Sequence, residues 1–170
     1  MTAYRLRAVR LINFHNFVDV EIPVQGHLFL VGDNASGKTT VLDAVQWALS
    51  GGQDLEFNAA AQLWGAKQDG RTLRGAVLRT DLEKGDQRTG RTITYAAVEL
   101  ETNEGERLSL GVGAELAHPE APIQTWGFLR PGPLSDIPLL FEKGGECRPA
   151  TKEELREKLG PDRVHLLIGR

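Results

Sequence analysis

Gly32-Asp33-Asn34-Ala35-Ser36-Gly37-Lys38-Thr39 sets two glycines, a lysine and a hydroxyl in the order G-x-x-x-x-G-K-[ST]. That spacing suits a chain of phosphates. Gly32 and Gly37 let the backbone curl, so that successive N–H groups from Asp33 to Ser36 point at one anion. A helix opening at Gly37–Lys38 adds its unpaired first-turn amides and the positive end of its dipole. Lys38 then brings a cation to the β- and γ-phosphates, the Thr39 hydroxyl fits a magnesium ligand, and Thr40 can donate to the α-phosphate. The chemistry this predicts is binding of ATP with Mg2+, with Lys38 also the candidate catalytic group. Chance alone would match the four fixed positions in roughly one chain in a hundred of this length, so the flanking elements have to carry the rest.

A phosphate loop needs a strand before it and a helix after it. His27-Leu28-Phe29-Leu30-Val31 is a short apolar run bounded by Gly26 and Gly32, which predicts a strand buried on both faces. Val41, Ala44, Val45, Ala48 and Leu49 recur at helical spacing and predict an amphipathic helix over about 37–50, stopped by Gly51 and Gly52. Upstream, residues 4–13 and 17–22 alternate, predicting an antiparallel hairpin that turns at Asn13–Asn16 and ends at Pro23. Downstream, Ile93–Thr102 and Leu108–Leu116 flank Asn103-Glu104-Gly105 as a second hairpin, and Thr125–Arg130 reads as another strand. Thr151 and Glu154 form a capping box for a short helix ending at Gly160-Pro161. Residues 71–78 fit helix or strand equally well, and the polar run 79–91 reads as a loop.

The whole chain limits the alternatives. It has 170 residues, 41% of them hydrophobic, and 20 Lys+Arg against 23 Asp+Glu for a net charge of −3. That is one domain with a real core, and it excludes a wholly disordered chain or a polybasic tail protein. No apolar run approaches the ~18–20 residues of a membrane span. The start, MTAYRLRAVRLINF, alternates apolar and basic residues and lacks the apolar segment of a secretory signal. A single cysteine, Cys147, excludes an internal disulfide. The expected setting is the cytoplasm. An acidic chain binds DNA only through a local patch, and Lys67–Arg91 holds seven basic and four acidic residues. Arg71, Arg74 and Arg79 are the candidate contacts there.

One motif is deceptive. Leu49-Ser50-Gly51-Gly52-Gln53 spells LSGGQ, the signature by which ABC-type ATPases grip the γ-phosphate across a dimer. Such a signature must begin a helix to leave its amides free. This one ends a helix, where the unpaired groups are carbonyls that repel phosphate. It therefore reads as a glycine stop. No apolar run ends in an Asp followed by a catalytic Glu, and no Asn-Lys-x-Asp string reads guanine.

Arg10-Leu11-Ile12-Asn13-Phe14 with Phe17, then the run from Gly32 to Val45, resembles the N-terminal head lobe of SMC-like ATPases, the group of SMC, SbcC, MukB and MksB. Residues 71–77, 95–100, and 128–130 with 134–138 look closer to the MksB-like subunit of Wadjet-type plasmid-defence systems. The resemblance implies an α/β P-loop NTPase fold of ABC type, a mixed core sheet around the phosphate loop plus an antiparallel β layer. It implies that residues 1–170 form one lobe, followed by a coiled coil and a returning C-terminal lobe. That lobe would supply the true signature, the magnesium-binding Asp and the catalytic Glu. Two such heads would form a homodimer around two ATP molecules and drive DNA loading, loop extrusion or processing. Kleisin and nuclease subunits would be partners, and the assembly would be nucleoid-associated with no membrane contact. The isolated chain would be inactive. The resemblance also puts Arg10 near a phosphate and His15 near the adenine. Ala35 departs from the glycine common in this group, although RecF-like relatives share the alanine. No glutamine follows Gln124, so the expected Q-loop would lie beyond Arg170. Two other readings stay open: a RecF-like or OLD-like ATPase lobe without a long coiled coil, and a nucleotide-sensing module that never hydrolyses.

Overall fold

Alternating apolar residues form β1 (Tyr4–Phe14) and β2 (Phe17–Pro23), an antiparallel pair in which Val9 faces Ile22 and Phe14 faces Phe17. In the computed structural model, which describes residues 3–33, 36–52, 73–78 and 90–167, this hairpin begins a six-stranded sheet. The other strands are β3 (Thr92–Thr102), β4 (Arg107–Leu116), β5 (Gln124–Pro131) and β8 (Val164–Leu167). Their order is β2-β1-β3-β4-β5-β8. A separate hairpin joins β6 (Leu140–Lys143) to β7 (Glu146–Pro149). The helices are α1 (Lys38–Leu49), α2 (Leu73–Leu78) and α3 (Lys152–Leu159). Among the described residues, no helix is long and apolar enough to cross a membrane.

The sheet is covered on both faces, so β3 is buried from Thr92 to Glu99. On one face Val9, Leu11, Ala96, Val98, Val112 and Ala114 meet Val41, Ala44, Trp47 and Ala48 of α1 and Ala76 and Val77 of α2. On the other, Ile12, Tyr95, Trp126 and Phe128 meet Leu134, Ile137, Leu139 and Leu155. Strict alternation along β1 would send Phe14 to this second face. Asn13 adopts a left-handed φ of +48°, the alternation slips, and Phe14 stacks instead on Trp47 of α1 with ring centroids 5.6 Å apart.

Large rings on β5 demand small neighbours on β4. Gly113 faces Trp126 and Gly111 faces Phe128. A Cβ at Gly113 would overlap the Trp126 indole, and one at Gly111 would lie 2.6 Å from both Phe128 Cζ and the Ala96 carbonyl oxygen. Tyr95 packs edge-on against both rings and donates its hydroxyl to the Ala150 carbonyl at 2.7 Å. Burial pushes its phenol above the ordinary range.

Two expectations need correction. No mixed sheet surrounds the phosphate loop: among the described residues every strand pairing is antiparallel. The run His27–Val31 forms no strand, its single bridge being Gln25 to His27. Phe29 and Val31 are 82% and 93% exposed, the opposite of a strand buried on both faces. The physical reason is a lack of neighbours. A doubly buried strand needs a partner along each edge and cover on each face, and β1, β3, β4 and β5 already have a neighbour on each side. The ambiguous stretch 71–78 resolves as α2 over Leu73–Leu78. Of the loop expected over 79–91, residues 79–89 lie outside the described residues.

The capping box is present in full. Thr151 Oγ1 accepts the Glu154 N–H at 3.2 Å, and Glu154 Oε2 accepts the Thr151 N–H at 2.9 Å. Arg148 clamps the same carboxylate with two bonds, at 2.7 and 2.9 Å. These bonds, Arg148 foremost and the Thr151 amide after it, outweigh burial and hold the Glu154 carboxyl down to about 2. A carboxyl whose folded value lies below its ordinary 4.5 stabilises the fold above that value and loses the contribution as pH falls toward 2. Capping devices contribute about 0.3–1.5 kcal/mol, and in a chain of this size 1 kcal/mol moves Tm by roughly 2–4 °C. Thermal melts between pH 6 and pH 2 should therefore show Glu154→Gln starting lower than the wild type and converging with it as pH approaches 2. Parallel curves would refute this assignment.

Candidate phosphate-binding site

The site is built on the first turn of α1. The chain enters the helix through Gly37, which takes φ +93° and ψ +5°, a left-handed conformation costly for a residue with a Cβ. The first helical hydrogen bond runs from the Val41 N–H to the Gly37 carbonyl at 3.1 Å. The amides of Lys38, Thr39 and Thr40 therefore precede the helical ladder. Gly37 has no side chain with which to cap this helix start, and the first turn of α1 holds no acidic residue. A helix begun this way leaves donors and a positive dipole end uncompensated, which is what an anion requires.

The loop closes back on this turn. A Cβ at Gly32 would lie 2.7 Å from Ser36 Oγ and 3.3 Å from Ser36 Cβ, so the two ends of the loop approach closely. The Ser36 N–H turns onto the Asp33 carbonyl at 3.3 Å. Lys38 spans the same gap: its Nζ donates to the Gly32 and Asp33 carbonyls, each at 2.6 Å, and to Ser36 Oγ at 3.3 Å. The lysine ammonium thus sits over the loop, on an exposed side. Thr39 is exposed at the helix start and Thr40 is half-buried. A loop whose ends approach closely, a cation over it and a hydroxyl beside it fit a triphosphate that Lys38 could hold and a Mg2+ that Thr39 could hold. Asn34 and Ala35, also expected in the loop, lie outside the described residues.

The other candidates are scattered. Arg10 is engaged by Asp19 across the hairpin through two bonds of 3.2 Å. His15 pairs its Nδ1 with Asn16 Oδ1 at 2.9 Å, and its N–H donates to the Ala76 carbonyl at 2.5 Å. Arg74 donates to the Pro119 and Ala121 carbonyls, the latter at 2.7 Å, and so ties α2 to the loop before β5. Arg71 and Arg79 lie outside the described residues. A cavity of about 360 Å³ is lined by Asn13, Arg91, Thr92, Ile93, Arg148 and Thr151, with none of the phosphate-loop residues. Its two guanidiniums are already paired, Arg91 with Glu115 at 2.5 Å and Arg148 with Glu154 at 2.7 Å, so it offers no uncompensated charge.

The LSGGQ string ends α1, as its position predicts. The Ser50 N–H donates to the Gln46 carbonyl at 2.9 Å, Gly51 to Ala48 at 3.3 Å, and Gly52 to Trp47 at 3.0 Å. Gly51 and Gly52 take φ of +64° and +82°. The amides a phosphate would need are spent on terminating the helix.

Residues 6–63 match the family described as the P-loop containing region of AAA domain. The DNA replication and repair protein RecF of Brucella abortus (strain 2308) is 35% identical over 66 residues. The RecF proteins of Brucella suis biovar 1 and Brucella melitensis biotype 1 match to the same extent. Each match covers 38% of this chain and only 17% of the relative's length. The first third of the chain is similar to the phosphate-loop region of P-loop ATPases. These likenesses fall on the stretch that holds β1, β2, the loop and α1.

Because Ser50 terminates the helix, Ser50→Arg should leave the affinity for Mg·ATP within about twofold of wild type in titration calorimetry. A tenfold loss with the fold intact would restore a nucleotide role to LSGGQ.

Proposed function

We propose that the chain binds ATP with Mg2+ through residues 32–40 and serves as the phosphate-loop half of an SMC-like ATPase acting on DNA. The observation that carries this is the uncapped, acid-free start of α1, with Lys38 folded over the loop carbonyls. When the triphosphate enters, Lys38 Nζ exchanges those carbonyls for phosphate oxygens. The Lys38, Thr39 and Thr40 amides hold the negative charge by direct donation, and the Thr39 hydroxyl positions the magnesium ion. A magnesium ion held there would supply charge to neutralise the phosphate oxygens. Positioning and charge stabilisation account for most of the catalysis in this class of chemistry. A base for the attacking water would come from a second lobe, together with the signature.

Phe29 and Val31, exposed immediately before the loop, favour completion by further strands. An apolar run beside a phosphate loop gains most from neighbours that bury it. On this proposal, two completed heads form a homodimer around ATP and drive DNA loading, loop extrusion or processing, with kleisin and nuclease partners in a plasmid-defence or chromosome-maintenance setting. Arg10 can join the phosphates only by leaving Asp19, and Arg71, Arg74 and Arg79 would contribute to a DNA patch only if Arg74 releases its loop carbonyls. The RecF-like reading, with work in DNA replication and repair and no long coiled coil, is favoured by the Brucella matches. The non-hydrolysing nucleotide sensor is rejected by any ATP turnover that depends on Lys38.

Lys38 Nζ bonds to Gly32, Asp33 and Ser36 of an exposed loop, so its removal should spare the fold. Lys38→Ala should weaken Mg·ATP binding at least 100-fold, about 2.8 kcal/mol at 1.4 kcal/mol per tenfold, with Tm of the ligand-free chain unchanged. Equal affinity of mutant and wild type in calorimetry would end the ATP proposal.

A further inference from the structure

The left-handed glycine that opens α1 is backed by an aromatic ring from the hairpin. A Cβ on Gly37 would lie 2.9 Å from Phe17 Cζ and 3.3 Å from Phe17 Cε2. Phe17 is the first residue of β2 and pairs with Phe14, the last residue of β1. The two rings have different targets. Phe14 stacks on Trp47, near the end of α1. Phe17 meets Gly37, ten residues earlier and about 15 Å back along the helix axis. The tip of one hairpin therefore grips α1 at both ends. A backbone bond from the His15 N–H to the Ala76 carbonyl, 2.5 Å long, ties the same tip to α2.

We propose that Phe17 is a positioning residue for the nucleotide: its ring braces Gly37, and so holds the first-turn amides and Lys38 of α1 against the phosphate loop. This rests on the assignment of residues 32–40 as the ATP site. Two features separate the role from ordinary packing. The contact is made to the backbone of a positive-φ residue, whose conformation sets the direction in which the next three amides point. Phe17 is also only half-buried, at the edge of a cluster that Ile22 of the same strand joins as well. Loss of the ring edge leaves the sheet intact but frees Gly37 to sample other conformations. An anion site loses affinity when its donors are no longer preorganised.

Phe17→Leu tests this cleanly, because leucine keeps apolar contact with the cluster and lacks the ring atoms that reach Gly37. In calorimetry with Mg·ATP on the full chain, Phe17→Leu should bind at least fivefold more weakly than wild type, and Phe17→Ala at least tenfold. Ile22→Ala removes a similar amount of apolar contact from the same strand and should change the affinity less than twofold. Should Phe17→Ala fail to fold, Phe17→Leu and Ile22→Ala still decide the matter. Wild-type affinity in Phe17→Leu, or equal losses in Phe17→Leu and Ile22→Ala, would overturn the positioning role while leaving the ATP site standing. Failure of the wild type itself to bind Mg·ATP would instead remove the ATP assignment on which the role depends.

Discussion

The proposed chemistry depends on three backbone amides, those of Lys38, Thr39 and Thr40, which precede the first hydrogen bond of α1. A helix pays for its first turn with unpaired donors, and most helices meet that cost with a Ser, Thr, Asp or Asn cap. Here α1 begins at a glycine, without side-chain cap or acidic residue. Lys38 adds positive charge to the same place and rests on loop carbonyls. On the proposed reading, donors and a cation concentrated at one exposed turn are what receives the triphosphate.

The sheet exists, in functional terms, to hold that turn still. Its antiparallel ladder fixes β1, and Asn13 breaks the alternation so that Phe14 lands on the helical face. Trp47 receives it, fully buried. The opposite face is closed by its own aromatic cluster. Gly111 and Gly113 give up their side chains so that Phe128 and Trp126 can lie against the β4 backbone, and Tyr95 completes the aromatic cluster. An interior packed like this transmits position over long distances because it has no slack.

Much of this was legible in the residues. Alternation gave both hairpins of the main sheet and the 3.6-residue period gave α1, since each signal is local and its partner lies within a few residues. The LSGGQ string could be dismissed because the same periodicity places it at a helix end. The failures have a common cause. His27–Val31 looks like a buried strand, but burial is a property of neighbours, and the strands present pair among themselves. The four-residue strands β6 and β7 carry too few residues for a period, although Gly144-Gly145, both at positive φ, marked their turn. β8 is as short. The engagement of Arg74 with Pro119 and Ala121 joins residues more than forty positions apart, and no spacing rule anticipates it. Phe17 was visible as part of a motif, but its grip on Gly37 appears only once the hairpin tip is folded against α1.

The central claim concerns the amides of Lys38, Thr39 and Thr40, so their hydrogen exchange in the presence and absence of Mg·ATP tests it most directly. Site-resolved exchange should slow at these three positions, and at Gly37, when the nucleotide is added, with little change in β3 and β4, which are paired on both sides within the sheet. Unchanged exchange at the start of α1 under saturating nucleotide, or protection confined to another region, would contradict the account.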